Sequence, residues 1–243
     1  MSILLSLLTA TLLSPAKPTP ATAPASGQAI TAADSTLRQL FDRGTPYTEF
    51  LANARARREL WQRNTSWATP PDALVMRARA TGGGWKLLAV AVDGCSDSVS
   101  TIPYLAQLVA LLPGVELRII GSDVGRMIMN AHKTPDGRAA TPTVLLLDVD
   151  FTERGAFIER PAELQQWMMA QKGILSDAEA NARKMVWYDE DKGIKTLTEI
   201  VELMERAARH TLRPRPFGRA SRSTTNVTSG TVLARGNHDV NTA

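Results

Sequence analysis

The stretch "WKLLAVAVDGCSDSVSTIPYLAQLVALLPGVELRIIG", residues 85–121, decides the fold. Its first eight residues, Trp85 to Val92, are apolar except for Lys86, the pattern of a strand covered on both faces. Asp93-Gly94 interrupts the run, and Cys95 follows. A short polar segment then leads into Tyr104, Leu105, Leu108, Val109 and Leu112, apolar at helical spacing. Pro113-Gly114 stops that helix, and "VELRIIG" (115–121) is a second strand. Strand, helix and strand in so short a span predict a crossover unit with parallel strands.

Downstream, "DVGRMIMNAHK" (123–133) predicts a helix with Ser122 or Asp123 as its N-cap. "PTVLLLDVD" (142–150) is a third strand, and "RGAFIER" (154–160) pairs with it as a hairpin. "RPAELQQWMMAQ" (160–171) and segments near 176–189 and 195–210 are helices. Upstream, "DSTLRQLFDRG" (34–44), "PYTEFLANARARRELWQRN" (46–64) and "PPDALVMRARA" (70–80) read as three helices. Gly82-Gly83-Gly84 lacks the spacing of a dinucleotide or phosphate loop and reads as a turn. The order predicts two parallel crossovers, then an antiparallel hairpin, with helices over both faces. The expected class is α/β: a thioredoxin-like mixed sheet flanked by helices, with extra helices at both ends.

The net charge of +4 suggests nucleic-acid binding until it is located. From Leu212 onward five arginines (213, 215, 219, 222, 235) face one acid, Asp239, so residues 212–243 hold all of it and the rest is balanced. That segment is rich in Ser, Thr, Gly and Asn and predicts a disordered basic tail, with no specific nucleic-acid partner. One cysteine excludes an internal disulfide and a cysteine-based zinc site, and the three histidines (132, 210, 238) show no metal-ligand spacing. No metal and no cofactor are expected.

At the start, "MSILLSLLTATLL" carries an apolar run from Ile3 to Leu13, about 16 Å as a helix against a bilayer core of about 30 Å. No transmembrane span is expected. The length fits the apolar core of a signal peptide, and "ATA" (21–23) or "APA" (23–25) offers small residues for cleavage. No Lys or Arg precedes the run, so a disordered leader on a cytoplasmic protein is the alternative to export. Three regions result: 1–30 as signal peptide or disordered leader and linker, 31–211 as the folded domain, and 212–243 as tail.

Several segments together carry a resemblance. "FLANARARRELW", "GCSDSVSTIPYLAQL", "PGVELRI", "ATPTVLLLDVDFTERGAF", "RPAELQQW" and "WYDEDKGIKTLTEIVELME" occur in that order from about Tyr47 to Ala208. This region resembles a bacterial group of thioredoxin-family proteins with a Cys-Gly-Asp type active-site motif, here Cys-Ser-Asp-Ser. The resemblance implies that Cys95 is the nucleophile and that Ser98 stands at the resolving position. It also implies that Pro103 kinks the active-site helix and that Pro142, after Thr141, is the cis-proline facing the thiol. Gly94 stands where the family commonly has Trp, and Ser96 where Gly follows the cysteine. Gly94, Thr141 and Pro142 are thereby expected to bind substrate, with the Thr141 backbone pairing to a peptide.

A cysteine at a helix N-terminus meets unpaired N–H groups and the helix dipole, which favour the thiolate. Asp97 cuts both ways: its charge opposes the thiolate, whereas as a general base it takes up the thiol proton. Both readings stay open. A single thiol forms a mixed disulfide but cannot release itself, so release needs an outside thiol, glutathione or a partner protein's cysteine. Oxidation to a sulfenic acid is the other route open to it. The expected function is a monothiol thioredoxin-like oxidoreductase acting on protein thiols or disulfides; the alternative is an inactive thioredoxin-fold module that binds peptides or proteins. Asp148 and Asp150 read as solvated acids at a strand end, and "WYDED" (187–191) as a helix end with packed aromatics.

Overall fold

The computed structural model describes residues 32–211, with side chains from 36 to 210. The leader expected at 1–30 and the tail expected at 212–243 lie outside the described residues. Four strands, β1 (Lys86–Val90), β2 (Glu116–Ile120), β3 (Thr143–Leu147) and β4 (Glu153–Ile158), form one sheet in the order β2-β1-β3-β4. β1 and β2 are parallel, and the other two pairings are antiparallel. Nine helices surround the sheet among the described residues: α1 (Ala32–Asp42), α2 (Tyr47–Asn53), α3 (Arg58–Trp67), α4 (Asp72–Ala80), α5 (Ser96–Ala110), α6 (Arg126–Ala131), α7 (Ala162–Gln171), α8 (Asp177–Asp191) and α9 (Ile194–Thr211). This is the thioredoxin-like mixed sheet flanked by helices.

Strand alternation sorts the core into two layers. On one face Leu87 and Ala89 of β1, Leu117 and Ile119 of β2, and Val144 and Leu146 of β3 meet Trp61, Ile102, Leu105 and Met204 from α3, α5 and α9. On the other, Leu88, Val90, Leu145 and Leu147 meet Phe41 of α1 and Ile128 and Met129 of α6. Both faces are covered, which is why β1 and β3 are apolar at nearly every position.

The second connection departs from the expected parallel crossover: β3 runs antiparallel to β1, with Val90 opposite Thr143 and Lys86 opposite Leu147. α6 has six residues, about 9 Å, whereas a five-residue strand is about 17 Å long. The helix alone spans about half the length of a strand, and the rest of the connection does not carry the chain back to the far end of the sheet. The chain therefore leaves β2 and enters β3 at the same end, which sets Thr141-Pro142 beside the Cys95 loop. The α6 N-cap is Gly125, with no side-chain cap, rather than Ser122 or Asp123.

The helix expected over 46–64 is two helices, α2 and α3, broken at residues 54–57. Asp93, from the loop after β1, accepts the backbone N–H groups of Arg55 (2.8 Å) and Ala56 (2.9 Å) through Oδ2. Those N–H groups are thereby withdrawn from helical bonding, and Arg57 takes a left-handed conformation (φ 51°) before α3 begins. A contact some 37 residues away in sequence overrides a continuous helical pattern.

Candidate functional site

Cys95 is the N-cap of α5, with extended backbone (φ −78°, ψ 125°). Its Sγ accepts the Ser98 N–H at 3.5 Å and donates to the Thr141 carbonyl at 3.2 Å. The Thr141–Pro142 peptide bond is cis, and Thr143 Oγ1 closes that turn by donating to the Ala140 carbonyl at 2.8 Å. The thiol is partly exposed, Gly94 beside it is exposed, and Ser98 is buried. A Cβ at Gly94 would meet only Ala56 Cβ, at 3.6 Å, so the site has room for a side chain there.

The loop that carries the thiol is tied from behind. The Gly94 carbonyl accepts Arg57 Nε at 2.8 Å, and the Asp93 carbonyl accepts Trp61 Nε1 at 2.9 Å. Trp61 is fully buried, edge-on to Phe50. The Arg55 N–H, then that of Ala56, hold the Asp93 carboxyl below its ordinary 3.8.

Pro103 lies inside α5 and has no N–H for the carbonyl of Val99. Asn64 of α3 supplies the missing donor, its Nδ2 standing 2.8 Å from that carbonyl. The bend at Pro103 is thus satisfied by a neighbouring helix, and α3 is locked to the helix that presents the thiol.

Asp97 points away from solvent into a buried ionic cluster. Oδ1 accepts the Tyr188 hydroxyl at 2.9 Å and lies 3.1 Å from Arg160 Nε; Oδ2 accepts Lys184 Nζ at 2.7 Å and Arg160 Nη2 at 3.3 Å. Lys184 also donates to Ser96 Oγ, at 2.8 Å. Burial, and then the charge of Asp97, push the Tyr188 hydroxyl well above its ordinary 10, so it stays protonated and donates. Arg160 contacts Glu159 at 2.5 Å, and Arg138 bridges Glu159 and Asp136. Arg138 and the Thr134 hydroxyl lower Asp136 to about 2.

The structure thus brings Cys95, Gly94, Ser98, Thr141 and Pro142 together at one end of the sheet, with Pro103 two turns down the helix. Both carboxylate oxygens of Asp97 are occupied by donors. Sequence reading missed Arg160, Lys184 and Tyr188, which reach Asp97 from 63, 87 and 91 residues away. An acid in an apolar helix signals the need for a partner, but no local spacing identifies it. "WYDED" contributes the buried Tyr188, and Asp148 differs from expectation. Rather than being solvated, Asp148 is buried, ion-paired with Arg154, and accepts the N–H groups of Asp150 and Thr152 to shape the β3–β4 turn. Among the described residues no group of His, Cys, Asp and Glu is arranged to hold a metal ion, and no helix is long and apolar enough to cross a membrane.

Residues 44–180, more than half of the chain, match the thioredoxin family. The chain belongs to that family. Among solved structures it is similar to a protein of unknown function from Pseudomonas aeruginosa, with 23% identity and a TM-score of 0.57, covering 70% of this chain and 97% of that one. It is also similar to an HIV epitope scaffold, with 23% identity and a TM-score of 0.54, covering 69% of this chain and 96% of that one. No curated protein matches it.

Proposed function

We propose that the protein is a monothiol thiol–disulfide oxidoreductase of the thioredoxin family, acting through Cys95. The observation that carries this reading is the Cys95 thiol at the N-cap of α5, 3.2 Å from the carbonyl that precedes cis-Pro142. In the reaction the Cys95 thiolate attacks one sulfur of a client disulfide. The Cys95–client disulfide bond forms, the client S–S bond breaks, and the second client sulfur leaves as a thiolate that takes a proton from water. Because Ser98 has no sulfur, an external thiolate, glutathione or a partner cysteine, attacks the client sulfur of the mixed disulfide: a disulfide between client and external thiol forms, the Cys95–client bond breaks, and Cys95 leaves as a thiolate. The Thr141 carbonyl, on losing the thiol proton, becomes free to accept an N–H of an extended client peptide.

The test is mass spectrometry of folded protein after incubation with oxidised glutathione, with Cys95→Ser as control, beside alkylation of Cys95 in the native state. A single glutathione adduct removed by added thiol supports the reading. A thiol that resists alkylation until the protein unfolds, and forms no adduct, leaves a peptide-binding module instead. Export with loss of a leader within residues 1–30 belongs to the same proposal. Mass measurement of protein from its own cells tests it, and intact Met1-containing protein in the cytoplasm overturns it.

A further inference from the structure

We propose that Lys184 is a positioning residue for Cys95, cancelling the charge of Asp97 and anchoring Ser96 so that the first turn of α5 can hold a thiolate. This rests on the monothiol reading. Asp97 is two residues from Cys95, so without compensation two anions would share one helix N-terminus. The compensation comes from a row of alternating charges, Asp136, Arg138, Glu159, Arg160, Asp97 and Lys184, each in contact with the next. Three acids meet three bases, and the row is neutral. Lys184 ends it, and its other bond goes to the hydroxyl of Ser96, next to the thiol. Lys184 and Asp97 are 4% and 5% exposed, so solvent does little to screen either.

A buried ion pair is a weak source of stability, because desolvation offsets most of the attraction. A catalytic helix whose first turn carries an acid has a different use for it. Deleting Lys184 leaves one negative charge beside Cys95, and neutralising Asp97 leaves one positive charge there. The other charged groups near the loop, Asp93 on the Arg55 and Ala56 amides and Arg57 on the Gly94 carbonyl, stay the same in both cases, and Tyr188 stays neutral. The two substitutions should therefore act with opposite signs, which a general loosening of the site would not do.

The experiment follows iodoacetamide alkylation of Cys95, the chain's single cysteine, from pH 5 to 10 in folded wild type, Lys184→Met, Lys184→Arg, Asp97→Asn and the double variant. Melting curves establish that each is folded. The midpoint should rise by about half a pH unit in Lys184→Met, a roughly threefold slower reaction at pH 7, and fall by a similar amount in Asp97→Asn. Lys184→Arg and the double variant of Lys184→Met with Asp97→Asn should stay near wild type. If Asp97→Asn does not fold, the contrast between Lys184→Met and Lys184→Arg carries the test. Midpoints that do not move, or that rise in both single variants, overturn the inference and leave the monothiol reading intact. A wild-type thiol that does not react in the folded state overturns both.

Discussion

Asn64 donates its side-chain N–H to the Val99 carbonyl, the acceptor that Pro103 leaves without a helical partner. Asn64 and Val99 sit on neighbouring helices and both are buried, so the carbonyl draws its partner from within the protein. The bond joins α3, whose Trp61 holds the Asp93 carbonyl, to α5, which begins at the thiol. One amide thus couples the bend in α5 to the wall behind the Cys95 loop.

Replacing Asn64 with Leu should cost about 2 kcal/mol in urea unfolding, the penalty for a buried carbonyl left without a donor. In a Pro103→Ala background the same change should cost less, because a backbone N–H at 103 can then reach Val99. Equal costs in both backgrounds would show that Asn64 acts elsewhere.

Ser98→Cys should shorten the life of a Cys95 mixed disulfide. The Ser98 N–H lies 3.5 Å from Cys95 Sγ, so a second sulfur at this position starts one helical turn from the first. Adduct decay without added thiol, followed by mass spectrometry, should be slow in wild type and accelerated at least tenfold in the variant. Unchanged decay would mean that the buried side chain at 98 cannot turn toward the adduct.

Asp93 should make the joint between α2 and α3 sensitive to acid. Its folded value lies below the ordinary 3.8, so its contribution is complete above 3.8 and is lost as pH falls through the lower folded value. Wild type should be more stable than Asp93→Asn at pH 6, by no more than about 1 kcal/mol because solvent screens the carboxylate, and the gap should narrow as pH falls below 3.8. A gap independent of pH would assign the effect to shape rather than charge.

Gly193 joins α8 to α9 with φ +78°, and a Cβ there would fall 2.3 Å from Tyr104 Cγ. Gly193→Ala should therefore lower stability by about 2 to 4 kcal/mol, from the left-handed backbone and the clash with a buried ring. A melting temperature within two degrees of wild type would show that the ring can move aside.

Much of this architecture is readable along the chain. The apolar runs at 85–92 and 142–150 hold β1 and β3, since residues covered on both faces have to be apolar whatever their partners are, and 115–121, with Glu116 and Arg118 alternating with apolar residues, holds the edge strand β2. The α5 pattern from Tyr104 to Leu112 and the prolines at 103 and 142 are equally local signals. The direction of β3 and the break between α2 and α3 were not readable. β3 reverses because the connection after β2, helical only over α6, does not carry the chain back across the sheet, and α2 ends because Asp93 removes two of the amides needed to continue it.

At the site the same division holds. Cys95 between a buried strand and a helix is determined by neighbours in sequence, since backbone periodicity and capping act over a few residues. The fate of Asp97 is settled across the fold, by Arg160 at the end of β4 and by Lys184 and Tyr188 on α8. Charge pairing depends on distance in space, and in a closed structure the groups that reach a carboxylate come from whichever segments the packing delivers.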